Sequence, residues 1–290
     1  MTMTSCGLPK EEQEFTALLE NWYVNQGVPR EYALFSCWVE AEGAATYRAG
    51  ERIARELSQL QSLVGRTVLD VGCGFGGAVV ALPRFGARCI GVDMSLNELA
   101  LCRKRLELHG CDSDILRGDA FGLPFRTESF DIVICTEVLE HIRDKSGLIA
   151  ELSRVLKKGG LLYLSFPNFM SLRNMIRDPH YHLPGATLLP LSIARWYTRK
   201  VRGRNYDVEM LPIPSLVSRI CAREGVVVYC VNASEEVLLR KIDSPESIEN
   251  RFLRLVISIF KALRLQGLFK LIVKIRANTM PNSILAGFKA

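Results

Sequence analysis

The stretch Val68–Gly77, VLDVGCGFGG, constrains the fold more than any other part of the chain. An apolar run that ends in glycines at 72, 74, 76 and 77 is a strand that must turn sharply and open a helix. Read literally through Gly72, Gly74 and Gly77, with Asp93 about twenty positions on, it spells the G-x-G-x-x-G dinucleotide fingerprint. A loop of this kind serves any ligand that must approach main-chain atoms closely. The glycines therefore fix a strand–turn–helix and leave the ligand open.

The rhythm that follows extends the same architecture. TVLDVG, ARCIGVD, SDILRGD, FDIVICT and GLLYLSFPN read as strands, with SLNELALCRKRLELHG and KSGLIAELSRVLKKGG as helices between them. Near-continuous apolar strands alternating with helices imply a doubly wound, mostly parallel sheet covered on both faces. Ligands bind such sheets beyond the carboxyl ends of the strands. Residues 1–64 read as an N-terminal helical cap, with GVP breaking two amphipathic patterns, and 65–290 as the main domain. Residues 168–214, rich in Pro, His and Tyr, break the rhythm and read as an insertion after the fifth strand that covers the binding edge. SLVSRICAREG then resumes as a helix, VVVYCVN as a strand, and SILAGFK as one last strand.

Composition agrees with a folded domain. At 290 residues and 48% hydrophobic, the chain can build a sizeable core. Its nine cysteines are an odd number without a C-x-x-C pair, which fits buried thiols in a reducing compartment better than disulfides or a zinc site. The N-terminus has no basic-then-apolar leader and no long uncharged apolar run occurs, so a cytoplasmic location is expected. A formal charge of +6 is too mild to indicate a nucleic-acid partner.

Three strand-end carboxylates narrow the ligand. Asp70 stands two residues before Gly72, where its charge would oppose a pyrophosphate and suit a cationic group. Asp93 is placed for ribose hydroxyls and Asp119 for an adenine amino group. Three acids without a basic phosphate clamp favour an adenosine that carries no phosphate.

VLDVGCGFGG, GVDMS, GDAFGLPF, FDIVICTEVLEHI and RVLKKGGLLYLSFPN occur in this order. Together they resemble the class I S-adenosylmethionine-dependent methyltransferases, in particular the broad group that includes the ubiquinone-biosynthesis methyltransferases. The resemblance spans Arg66 to Asn168. It implies a Rossmann-like seven-stranded sheet with an antiparallel last strand, and S-adenosylmethionine as cofactor. It also implies that Asp70, Gly72, Cys73 and Gly74 contact the methionine part, Asp93 the ribose, Met94 the adenine face, and Asp119 with Ala120 the adenine edge.

An activated methyl donor asks the protein mainly to hold a nucleophile in line and exclude water. TEVLEHI follows the fourth strand, and i, i+3, i+4 spacing would place Glu137, Glu140 and His141 on one face of a helical turn. His141 is the candidate base. The trio could instead bind a divalent ion, or form an ordinary hydrogen-bonded network; no metal is assigned. His180, Tyr181 and His182 in the insertion are further candidates for substrate contact or plain surface polarity. His109, before Gly110, reads as a helix C-terminal charge partner. CTEV replaces the motif of amino-directed DNA methylases, and Cys135 reads as a core thiol.

Residues 250–276 are basic and amphipathic. From Arg251 to Arg276 they carry seven cations and no acid, a pattern that suits packing on the sheet, a dimer contact or an anionic membrane surface. The expectation is a methyltransferase acting on a small-molecule or lipid- or sugar-linked acceptor, at oxygen. Its rivals are a non-catalytic S-adenosylmethionine-binding protein that recruits a partner or membrane through the basic segment and, more distantly, a nicotinamide oxidoreductase.

Overall fold

The computed structural model describes residues 8–32, 34–168, 171–203, 206–209, 212–231, 267 and 282–290. The helices are α1 Lys10–Asn25, α2 Phe35–Glu40, α3 Thr46–Leu60, α4 Gly77–Ala81, α5 Leu96–Leu108, α6 Lys145–Val155, α7 Leu172–Ile176, α8 Leu191–Arg202 and α9 Pro214–Arg223. The strands are β1 Thr67–Val71, β2 Arg88–Asp93, β3 Asp114–Arg117, β4 Phe130–Thr136, β5 Leu156–Pro167, β6 Val226–Val231 and β7 Asn282–Lys289. They form one seven-stranded sheet in the order β3-β2-β1-β4-β5-β7-β6, with antiparallel last strands, as the sequence implied. SILAGFK lies inside β7. The basic stretch 250–276 falls outside the described residues, apart from Gly267.

The chain divides into two compact units. The first comprises residues 1–136, 150–162 and 289, and the second 137–149, 163–288 and 290.

In the first unit β1 pairs in parallel with β2 and β4, and β2 with β3. Apart from Thr67, every β1 residue is buried, and Ile132 to Cys135 of β4 are wholly so. Each such branched side chain contributes about 1.5–3 kcal/mol through burial, which is why these strands read as continuous apolar runs. Parallel pairing brings the carboxyl ends of β1 and β2, near Asp70 and Asp93, to the same edge. In α1 Phe15, Leu19 and Tyr23 recur every four residues, and they pack with Phe35, Val39 and Leu101 into one cluster. The helices of 10–60 thus belong to the same compact unit as the glycine loop.

α3 meets α4 backbone to backbone. A Cβ on Gly50 would stand 2.2 Å from the Gly77 carbonyl oxygen, and one on Gly77 would stand 2.2 Å from that of Thr46. The third glycine of the fingerprint therefore serves helix packing rather than the ligand.

The second unit contains the insertion. Its cluster of Tyr181, Leu183, Ala186, Ala194, Tyr206 and Val208 is organised around the wholly buried Asp178. That carboxylate accepts from the backbone N–H groups of His180 and Tyr181 and from the Tyr206 hydroxyl. Among the described residues no helix is long and apolar enough to cross a membrane.

Candidate active site

In the first unit the loop after β1 turns through Gly72, Gly74 and Gly76, whose φ values of 77°, 48° and 79° lie in the left-handed region. A side chain at these positions would strain the turn. Gly72 and Cys73 donate their backbone N–H groups to the Val92 carbonyl, which ties the loop to the end of β2. Asp93 completes the turn: Oδ2 accepts from the Gly74 N–H at 2.9 Å and Oδ1 from the Ser95 N–H at 2.8 Å. The residue expected at the ribose thus also shapes the loop.

Asp70 is 3% exposed, and its Oδ1 is buried without a hydrogen-bond partner. Burial, and then the charge of Asp93, push its carboxyl up to about 7. Glu98, on the first turn of α5, was not anticipated from the sequence. Its Oε2 lies 3.2 Å from where a Cβ on Gly74 would stand, and burial and Asp93 raise its carboxyl to about 7. The available signal was the capping pattern Ser95-x-x-Glu98; Ser95 Oγ accepts from the Glu98 N–H at 3.3 Å. Asp70, Asp93 and Glu98 form no ion pair among the described residues.

Three acids at one glycine turn, one of them with an orphaned buried oxygen, make a cradle whose charge suits a cation. A sulfonium with an α-ammonium group fits that chemistry, and a pyrophosphate does not.

The other expected residues stand nearby or apart. The Gly118 N–H donates to the Asp93 carbonyl, which brings the loop of Asp119 and Ala120 beside β2; Asp119 is exposed and accepts from the Phe121 N–H at 3.0 Å. Met94 is 66% exposed. The Cys73 thiol is buried, and its hydrogen bond with Cys102, together with burial, pushes its pKa far up, so it is no nucleophile. Cys135 is a core thiol, as expected.

The expected face of Glu137, Glu140 and His141 does not form. Glu137 leaves β4 at φ 56°, its N–H bonded to the Ser165 carbonyl, and its carboxylate accepts from Ser165 and Asn282. Only Leu139–His141 make a helical turn, of the tight 3₁₀ kind. His180 takes the place the spacing gave to Glu137. Within the second unit Glu140 Oε1 lies 4.0 Å from His141 Nε2 and 3.9 Å from His180 Nε2.

Glu140 is wholly buried, and burial, then Glu137, raise its carboxyl well above the usual range. Burial lowers His180, and Asp178 opposes that shift. His141 Nδ1 is 3.3 Å from the Asp207 carbonyl oxygen. If Nδ1–H donates there, Nε2 keeps the lone pair, the tautomer that suits a base or a metal ligand. Tyr181 belongs to the insertion's core, and His182 bonds Arg177 through Nδ1. His109, given no part in the site, bridges Glu12 and Arg84.

Comparison with known proteins agrees with S-adenosylmethionine as the cofactor. Residues 69–164 match a family model described as a methyltransferase domain. The chain carries a class I S-adenosylmethionine-dependent methyltransferase domain. It is 37% identical over 145 residues to a phthiotriol/phenolphthiotriol dimycocerosates methyltransferase of Mycobacterium ulcerans, covering 49% of this chain and 51% of that one. It is 38% identical over 117 residues to a ubiquinone biosynthesis O-methyltransferase of Hahella chejuensis, covering 39% and 48%. The chain thus spans about half the length of these curated relatives. An S-adenosylmethionine-dependent methyltransferase from Mesorhizobium loti shares the fold of the methyltransferase domain at 16% identity, with a TM-score of 0.53 over 84% of this chain and all of that one.

Proposed function

We propose that the protein transfers the methyl group of S-adenosylmethionine to a hydroxyl oxygen on a small-molecule or lipid- or sugar-linked acceptor. The orphaned, buried Asp70 carboxylate carries the cofactor part of this reading. When bound, the cofactor supplies a methyl group already activated by a sulfonium. Asp70 and Glu98 offer charge to its cationic groups, Gly72, Cys73 and Gly74 a close backbone approach, and Asp93 its remaining lone pairs to the ribose. Met94, Asp119 and Ala120 are assigned to the adenine.

Oxygen and a lipid-like acceptor are supported by the names of the relatives, one a dimycocerosates methyltransferase and one an O-methyltransferase. Within the second unit a cavity of about 270 Å³ lined by Leu189, Leu191, Ala194, Tyr206 and Val208 suits an apolar moiety. Removing the acceptor's proton contributes typically about 10² to 10⁴-fold. His141 Nε2 serves that step by taking the proton or by ligating an ion that acidifies the hydroxyl. Contact of 251–276 with an anionic membrane belongs to the same reading; co-sedimentation with anionic and neutral vesicles checks it.

Calorimetry with S-adenosylmethionine, S-adenosylhomocysteine and NADH, in parallel with Asp93→Ala, tests the cofactor. Micromolar binding of both adenosyl ligands, lost in the variant and absent for NADH, is expected. Binding of NADH alone overturns the proposal. Methylation assays with hydroxylated lipid and quinol precursors then separate an enzyme from a protein that only binds the cofactor.

A further inference from the structure

We propose that Glu140, His141 and His180 bind one divalent cation of the zinc, cobalt or iron(II) class, with a coordination position left open. The inference rests on residues of the second unit alone and stands apart from the cofactor reading. One carboxylate oxygen and two imidazole nitrogens lie within 4.8 Å of one another. Bonds of about 2.0–2.1 Å would draw them to roughly 3.4 Å apart in a tetrahedral site. That needs a contraction of about half an ångström in the two distances from Glu140, now 3.9 and 4.0 Å, and of up to about 1.4 Å between the two imidazole nitrogens.

The unmet groups converge on the same point. Glu140 is wholly buried, and neither of its carboxylate oxygens has a hydrogen-bond partner. His180 Nε2 is likewise buried without one. An unpartnered buried carboxylate costs several kcal/mol if it ionises, unless a cation or strong donor meets it. Lys145 acts on it through charge, which burial outweighs, while its Nζ donates to the Ile142 carbonyl at 2.7 Å.

The surroundings also orient the His141 imidazole as a metal ligand needs and hold the His180 backbone. His141 presents Nε2 to Glu140 while Nδ1 faces the Asp207 carbonyl oxygen, with Asp207 Oδ2 at 3.8 Å. A ligating histidine ordinarily donates its second ring nitrogen in this way. His180 is fixed through its backbone N–H on Asp178 Oδ1 at 3.0 Å. Two imidazoles and one carboxylate favour a borderline ion over magnesium, which prefers six oxygens, and three protein ligands leave room for water or a hydroxyl.

The test uses cobalt(II) as a visible-absorbing probe on the full chain in metal-free buffer, with zinc competition and metal analysis. One equivalent of cobalt, displaced by zinc, is expected. Glu140→Gln and His180→Asn should each weaken cobalt binding by at least about a hundredfold. Glu137→Gln should leave it within about threefold, because that carboxylate is engaged by Ser165 and Asn282. Circular dichroism and thermal melts establish that each variant is folded; Glu140→Gln is close to isosteric and carries the test if His180→Asn unfolds. No cobalt binding by the folded wild-type chain overturns the proposal. Binding unchanged in Glu140→Gln, or bands showing cobalt–thiolate charge transfer, does the same by placing the ion on cysteines. S-adenosylmethionine titrated separately distinguishes failure here from failure of the cofactor reading.

Discussion

Glu12 and Arg105 form an ion pair 3.0 Å long with both side chains wholly shielded from solvent. The same guanidinium donates to the carbonyls of Gly43 and Phe75, each at 2.8 Å, and lies over the Phe15 ring. Phe75 belongs to the glycine loop, so one side chain of α5 ties α1, the turn before α3 and the cofactor cradle together. Arg105→Met should cost about 3–5 kcal/mol, because it leaves the Glu12 carboxylate buried with His109 as its one remaining side-chain partner among the described residues. The double variant with Glu12→Gln should recover part of that loss, measured by urea unfolding. S-adenosylmethionine affinity should stay weakened in both variants, since the Phe75 carbonyl has lost its donor; unchanged affinity in the folded double variant would refute that link.

The approach of α3 to α4 leaves no room for a methyl group. Gly50→Ala should destabilise by about 1–3 kcal/mol or more, since its Cβ would meet backbone rather than a side chain that can move. Gly122→Ala, where nothing lies within 4 Å, is the control and should stay within about 0.5 kcal/mol. Equal melting curves for the two variants would contradict the packing described here.

What the sequence made legible is what short spacing encodes. The loop glycines, Asp70 and Asp93 lie at the ends of apolar strands, and near-continuous apolar runs that break into glycine or acid announce them. SILAGFK was readable for the same reason. The E-x-x-E-H spacing misled, because it presumes a continuous helix; Glu137 instead takes a left-handed backbone and turns to Ser165 and Asn282. His180 joins Glu140 and His141 only through the path of the insertion, and Glu12 meets Arg105 across 93 positions. No local pattern records such pairs, since they are selected by burial of charge in the finished fold.

Asp131 joins the starts of β1 and β4. It accepts from the Thr67 N–H and hydroxyl at 2.9 and 2.7 Å and pairs with Lys157 at 3.0 Å. Burial works against its ionised form, but the Thr67 donors and Lys157 outweigh it and hold the carboxyl well below the usual range. A depressed folded pKa gives stability that is present above the ordinary carboxylate pKa, about 3.9, and lost as pH falls below it. Asp131→Asn should cost about 1.5–3 kcal/mol at neutral pH and flatten the acid limb of the stability curve between about pH 5 and 2, measured by thermal melts. An acid limb as steep as the wild type would rule out this role.

Asp70 should show the opposite sign. Its folded carboxyl stands at about 7, against about 3.9 in an unfolded chain. Between those values the native state keeps a proton that the unfolded state has lost. Stability of the ligand-free protein therefore falls as pH rises from about 4 through 7. Asp70→Asn removes its own share of that slope, Glu98 keeping the rest, and should stabilise the ligand-free protein at pH 8 by on the order of 1–3 kcal/mol. A cationic cofactor needs the ionised form, so wild-type affinity for S-adenosylmethionine should rise between about pH 6 and 8, while the variant binds at least about tenfold more weakly. Glu98 also titrates at about 7, so the rise should vanish only when Glu98→Gln is combined with Asp70→Asn. Calorimetry across that range decides the matter: a pH-independent wild-type affinity, or a variant that binds as tightly, would show that these carboxylates do not face the cofactor's positive charge.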